Sequence, residues 1–365
     1  MPRPREIGLV VGELRPGPRN AITDVAGVRV GHTTLISGEG PLQPGRGPVR
    51  TGVTVILPHG GNLFRDKVPA AVHTINGFGK PFGFEQVREL GVIESPIALT
   101  NTLNVGRVAD ALVEHAIREN PEIGIRTGTV NVVVGETNDG YLNDIQGRHV
   151  QAEHVWAAIA SASGGSVEEG AVGAGTGTTC YGWKGGIGTA SRVVPREVGG
   201  FTVGALVQAN FGRPEDLTIC GVPVGRVLQP PSSDPGPRVD RGSVMVVLAT
   251  DAPLSSGKLR RLAVRAGAGL ARTGTVHGHG SGDFVIAFST AQRIPHELEG
   301  PVLVRQELAD DERALEALFR AVVESVEEAV LNALFCAETM VGRDGHIRYA
   351  LPVERVVVLV RAAGT

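Results

Sequence analysis

Gly242-Ser243 heads the run Ser-Val-Met-Val-Val-Leu-Ala-Thr at residues 243–250, a pairing of residue types suited to self-activating chemistry. A serine hydroxyl is a weak nucleophile until a base stands beside it. Cutting the Gly242–Ser243 bond would give Ser243 a free α-amine next to its own hydroxyl. Such an amine titrates near pH ~8, close enough to neutrality to take up a proton during hydrolysis. The apolar residues after Ser243 predict a buried strand that would hold the serine at its end. Upstream, QPPSSDPGPRVD at 229–240 has the composition of an exposed, irregular loop. Loop, Gly-Ser and buried strand together suit a serine exposed by self-cleavage.

Other segments carry polar groups at strand ends. In Gly280-Ser281-Gly282-Asp283, extended backbone would place Ser281 and Asp283 on one face. The carboxylate could then orient a hydroxyl that relays a proton from another serine; a polar turn before the strand FVIAF is the alternative. Asn210 closes an apolar strand in VQANFG, where its amide could donate to an oxyanion or simply make a turn. The segment GETNDGYLND at 135–144 offers Glu136, Asp139, Tyr141 and Asp144 after the run NVVV. A carboxylate there could bind a cationic substrate group, while Asn138-Asp139-Gly140 reads equally as a plain turn.

Several chemistries are disfavoured. The glycine-rich run at 170–192 lacks both G-x-x-x-x-G-K-[ST] and a G-x-G-x-x-G between strand and helix, so its bare backbone is expected to line a site or pass close to another chain. His277-Gly278-His279 suggests metal ligation, but no further Cys, His or Asp stands at ligand spacing, which favours a surface loop. Cys180, Cys220 and Cys336 form no Cys-x-x-Cys pair and read as core thiols. No G-x-S-x-G elbow is present. Thirty-five Lys and Arg against 38 Asp and Glu, with no basic run, argue against a nucleic-acid partner. The first twenty residues hold only a short apolar stretch and no later run is long enough to span a membrane, so a soluble cytoplasmic protein is expected.

The elements that must position these groups follow from periodicity. Strands are predicted at 52–57, 129–134, 203–209, 244–249, 284–288 and 355–361. Helices are predicted at 105–118, 258–272 and 311–335, where apolar residues recur every three to four positions. The helices do not alternate strictly with strands, which favours an α+β layered sandwich over a doubly wound parallel sheet. No linker divides the chain, and residues 1–365 are expected to form one domain.

Taken together, NAITDVAGVRVGH (20–32), TNTLNVG (100–106), GETNDGYLND, GAGTGTTCYGWKGGIGTASR (173–192), VQANFG, GSVMVVLATDAPL (242–254) and GSGDFVIAFST (280–290) resemble one family. It comprises the L-aminopeptidase/D-esterase and β-peptidyl aminopeptidases, self-processing serine hydrolases of the N-terminal-nucleophile type. The resemblance implies a four-layer α/β/β/α sandwich and autoproteolysis into an α chain of 1–242 and a β chain of 243–365. It implies Ser243 as nucleophile, Ser281 and Asp283 as its relay, and Asn210 as oxyanion donor. Some family members have Glu where this chain has Asp283, one methylene shorter. Glu136 falls at the position that binds the substrate amine, and Tyr141 at a tyrosine lining the site. A small peptide, amide or ester substrate, no metal or other cofactor, and a tetramer of αβ units are also implied. The alternatives are an acyltransferase of the ornithine acetyltransferase type, which uses threonine as its new N-terminus, and an uncleaved binding protein of the same fold.

Overall fold

The run after Ser243 holds no polar residue before Thr250, and a strand of that kind must be covered on both faces. The computed structural model describes residues 1–231 and 242–363; most of the loop expected at 229–240 lies outside the described residues. The chain runs through β1 (Arg29–Ser37), β2 (Val49–Leu57), β3 (Asp66–Gly77), α1 (Phe84–Leu90) and β4 (Val92–Ile93). Next come β5 (Ile97–Asn101), α2 (Val105–Glu119), β6 (Val133–Thr137), α3 (Ala152–Ser161) and the short β7 (Thr179–Cys180) and β8 (Trp183–Lys184). They are followed by β9 (Gly186–Val193), β10 (Thr202–Asn210), β11 (Ser243–Thr250), α4 (Ser256–Arg272) and β12 (Gly282–Ser289). Last are β13 (Ile294–Pro295), α5 (Glu312–Phe335), β14 (Met340–Val341), β15 (Ile347–Arg348) and α6 (Val353–Ala363).

Two sheets carry the architecture. The smaller has the order β1-β2-β5-β6, and the larger β13-β3-β12-β11-β10-β9 with β4 also on β3. On β11, Met245, Val247 and Ala249 face inward, packing with Leu206, Phe284 and Ile286 against Ile56, Leu99 and Val133 of the smaller sheet. The alternate residues Val244, Val246 and Leu248 pack against Leu259 and Leu262 of α4 and Leu318, Val322 and Val326 of α5. The outer face of the smaller sheet, with Val53, Val55 and Val134, is covered by Leu112 of α2 and Val155 of α3. The order is helix, sheet, sheet, helix, the four layers expected. Each fully buried aliphatic side chain contributes roughly 1.5–3 kcal/mol, so β11, lined on both faces, is a firm support for Ser243.

The predicted helices extend one or two residues beyond their expected ends at most. Asp311 caps α5, its Oδ1 accepting from Ala314 N at 2.8 Å. Gly269, a weak point for helix propensity, lets α4 press against α5: a Cβ there would lie 2.7 Å from the Val323 carbonyl oxygen.

Two expectations need correction. Residues 355–361, a Val-rich run expected as a strand, belong to α6. Val353, Val356, Val357 and Val360 meet the core at helical spacing, whereas Val358 is exposed. Glu354 in the first turn and Arg361 in the last complement the helix dipole. One-sided burial at that spacing outweighs the strand preference of valine. The strand expected at 129–134 begins at Val133, because the Asn131 N–H and side-chain amide both donate to Glu94 Oε1 at 2.9 Å instead of to a ladder.

Residues 1–28 are fastened by buried charge. Arg192 of β9, fully buried, donates to Glu324 and Glu328 of α5. Glu324 also accepts from the Glu13 and Leu14 N–H groups, and Glu328 from Arg5 and Asn20. Among the described residues no helix is long and apolar enough to cross a membrane.

Candidate active site

Strand direction gathers the polar ends. β10 is antiparallel to β11, so its last residue, Asn210, pairs with Ser243, the first of β11. β12 is parallel to β11, so its first residue, Gly282, pairs with Ser243 from the other side. The end of β6 in the opposite sheet brings Glu136 and Asn138 to the same region.

Ser243 is 5% exposed. Its Oγ accepts from two donors, the Asn138 N–H and Asn210 Nδ2, each at 3.3 Å. Asn210 Oδ1 accepts from Thr179 N at 2.9 Å, which turns the amide so that its NH₂ group faces the serine. Thr179 sits in the glycine-rich segment, and a fully buried lysine braces that segment from within. Lys184 Nζ donates to the carbonyls of Gly175, Thr178 and Gly185 at 3.0, 3.0 and 2.7 Å. Burial pulls the Lys184 ammonium below its usual pKa, and the nearby Asp139 opposes that. Burial likewise pushes Asp139 up, against donors from Thr51 and Asn143. The segment therefore packs within this chain, its Gly173 and Ala174 N–H groups donating to Thr34 and Thr54.

At the start of the adjoining strand, Ser281 Oγ, in the residue before β12, donates to Asp283 Oδ1 at 2.6 Å, and His277 Nδ1 lies 2.6 Å from Asp283 Oδ2. Among the described residues, no hydrogen bond joins Ser281 to Ser243. The pleat turns Ser243 and Gly282 toward the smaller sheet, and Val244 and Asp283 toward the helices. The Gly282 N–H donates to the Gly242 carbonyl at 3.2 Å. Residue 282 has to be glycine for this approach, since a Cβ would lie 2.7 Å from the Phe78 carbonyl oxygen.

Glu136 is buried, with Oε1 accepting from Lys80 N at 2.8 Å and Oε2 accepting from Thr102 Oγ1. Two fixed donors leave the remaining lone pairs of the carboxylate for a cation. Tyr141 stacks on His346 with ring centroids 4.4 Å apart, and the Arg348 guanidinium lies 3.4 Å over the tyrosine ring. Arg348 Nε donates to Thr179 Oγ1 at 3.0 Å, so the tyrosine cluster joins the segment that orients Asn210.

The structure thus brings Ser243, Asn210 and Gly282 together, sets Ser281 just before the adjoining strand and Asp283 on it, and links Tyr141 indirectly. Sequence reasoning did not find the Asn138 N–H, because a main-chain donor has no residue-type signal. It read His277 as part of a surface loop, although its position six residues before Asp283 was visible. Among the described residues no group of three or more His, Cys, Asp or Glu is placed to hold a metal ion.

The chain is similar to known proteins along nearly its whole length. The model of peptidase family S58 matches residues 20–348. A β-peptidyl aminopeptidase of Sphingosinicella xenopeptidilytica is 43% identical, covering 99% of this chain and 91% of its own. A solved protein of Pyrococcus horikoshii OT3 superposes with a TM-score of 0.93 at 52% identity, covering all of both chains. The L-aminopeptidase D-Ala-esterase/amidase of Ochrobactrum anthropi, described as a prototype for the serine aminopeptidases and a new variant of the Ntn hydrolase fold, superposes with a TM-score of 0.89 at 42% identity, covering 100% of this chain and 99% of its own.

Proposed function

The chain belongs to peptidase family S58 and is a hydrolase of the aminopeptidase and amidase type, and on that premise we propose that Ser243 is its nucleophile, released by self-cleavage after Gly242. One observation carries the reading: a buried serine hydroxyl at a strand start, facing two N–H donors, and paired across the sheet with the residue that precedes the buried Asp283. In the intact chain Ser243 Oγ attacks the Gly242 carbonyl carbon. The C–N bond breaks as the acyl group moves from nitrogen to oxygen, and the nitrogen becomes the Ser243 amine. Water then hydrolyses the ester, leaving a carboxylate on Gly242 and a free Ser243 hydroxyl.

In turnover the same oxygen attacks the first carbonyl of a peptide, amide or ester. The Asn138 N–H and Asn210 Nδ2 stabilise the oxyanion, and Glu136 holds the free amine of the substrate, which restricts cleavage to the terminal residue. Proton uptake falls to the Ser243 amine. Ser281 and Asp283, on the opposite pleat face from Oγ, support that amine rather than touching the hydroxyl. Free-amine substrates with α- or β-amino acids are the class; a panel of L-aminoacyl peptides, D-alanyl esters and β-peptides ranks them. A cytoplasmic tetramer of αβ units, an expectation of the family resemblance, is tested by light scattering of the processed protein and fractionation of cells that express it.

Intact mass of purified protein tests the central claim: two fragments meeting at 242/243, with Ser243→Ala remaining one inactive chain. Normal aminopeptidase turnover by Ser243→Ala would remove Ser243 from its role.

A further inference from the structure

His277 belongs to the loop before β12 and has no part in the reaction as described so far. Its backbone holds φ +53°, a left-handed conformation uncommon outside glycine and asparagine. The loop is tied to β3: Asn76 Nδ2 donates to the Gly278 and His279 carbonyls at 3.0 and 3.2 Å and also to the Ser281 carbonyl. Ser281 N closes the turn on the Gly278 carbonyl at 2.9 Å. Asn76 is aimed there where the β3–β12 register shifts by one residue between Asp283 and Phe284. The result delivers an imidazole N–H to a buried carboxylate whose other oxygen serves Ser281.

An ionised carboxylate only accepts hydrogen bonds. Both partners of Asp283 therefore donate: Ser281 through Oγ–H to Oδ1, and His277 through Nδ1–H to Oδ2. With its proton committed to Asp283, Ser281 Oγ presents only lone pairs elsewhere. We propose that His277 is a positioning residue: by occupying Asp283 Oδ2 it fixes the carboxylate so that Oδ1 holds the Ser281 proton, which makes Ser281 Oγ an acceptor for the ammonium that Ser243 forms when its amine takes a proton. The inference rests on Ser243 being the nucleophile. It gives the loop that begins at His277 a part in the chemical step without any contact between His277 and substrate.

The test compares three variants in the processed enzyme. His277→Gly keeps the left-handed backbone and removes the ring. His277→Asn puts an amide N–H where Nδ1 stands and tolerates the same φ. His277→Gln carries its amide one carbon too far. Misplacing a reacting group by about 1 Å can cost on the order of 100-fold. The expected result is a 10- to 100-fold loss of kcat in the Gly and Gln variants, KM within about twofold, and recovery to within about threefold of wild type in the Asn variant. Wild-type kcat in His277→Gly, or equal kcat in the Asn and Gln variants, would overturn the proposal, and the second comparison holds if the Gly variant does not fold. Intact mass of the wild type separates the two levels: a single uncut chain that is fully active refutes the nucleophile reading itself.

Discussion

Replacing Asn210 by alanine would remove one of the two donors that face Ser243 Oγ and leave the Asn138 N–H in place. Loss of one oxyanion donor costs on the order of 100- to 1,000-fold in kcat, about 3–4 kcal/mol. Both donors stand at 3.3 Å from Oγ, a long and weak contact at rest, and their proposed work is on the carbonyl oxygen that becomes negative when Oγ attacks. The loss should therefore fall on kcat, with KM within about threefold. Asn210→Ala also takes the acceptor from Thr179 N. Asn210→Asp keeps that acceptor and turns the donor into a second lone-pair oxygen. The aspartate variant should be at least as impaired as the alanine variant although its loop remains anchored. Steady-state hydrolysis of an aminoacyl p-nitroanilide, normalised to processed protein by intact mass, gives the numbers. An Asn210→Ala kcat within threefold of wild type, or an aspartate variant faster than the alanine one, would refute the oxyanion role.

Glu136→Gln should reduce kcat/KM for free-amine substrates by about 30-fold or more, the ~2 kcal/mol lower end for unpairing a buried charge. N-acetylated analogues should be unaffected, and equal loss on both would remove the amine-binding role. His32, held by burial at a pKa of about 4 against 6.5 unfolded, favours the folded state in its neutral form. Its contribution is complete above pH ~6.5 and declines as pH falls toward 4, by about 3 kcal/mol. Urea titrations of wild type and His32→Gln at pH 7 and 4.5 should show the smaller pH effect in the variant, and parallel losses would contradict this. Arg192→Met should destabilise by about 3–5 kcal/mol, because Glu324 and Glu328 remain buried without their shared cation. A shift under 1 kcal/mol in the same titration would show that relaxation or protonation relieves them.

What was legible in the sequence was what depends on local period. The helices α2 and α5 announce themselves through apolar residues every three to four positions, and β11 through a run with nothing polar between Ser243 and Thr250. α6 was hidden because valines favour strands and only tertiary contact reveals which of them meet the core. The start of β6 depended on Glu94, remote in sequence, taking the Asn131 N–H. At the candidate site, Ser243, Asn210, Glu136, Ser281 and Asp283 could be singled out by residue type and setting. The Asn138 N–H and the carbonyls that hold Lys184 could not, since every residue has a backbone. His277 needed one step more: its meaning depends on Asp283 being buried and on Asn76, from a distant strand, shaping the loop between them.

The hydrogen bond from the Gly282 N–H to the Gly242 carbonyl makes the bond proposed for cleavage part of a parallel ladder. Parallel neighbours cannot meet until the crossover between them, α4, has packed onto the sheet. A nascent chain that has reached Ser243 but not yet folded residues 256–282 therefore lacks the donor that would polarise the Gly242 carbonyl in the proposed cleavage. A slip of one residue between β11 and β12 would put Ser281 or Asp283 on the pleat face now occupied by Gly282, beside Ser243. If the chain cleaves itself as proposed, maturation is gated by folding: a copy whose central sheet is out of register would persist as an inert precursor, and the ratio of cut to uncut chain would measure how much of the population has assembled that sheet correctly.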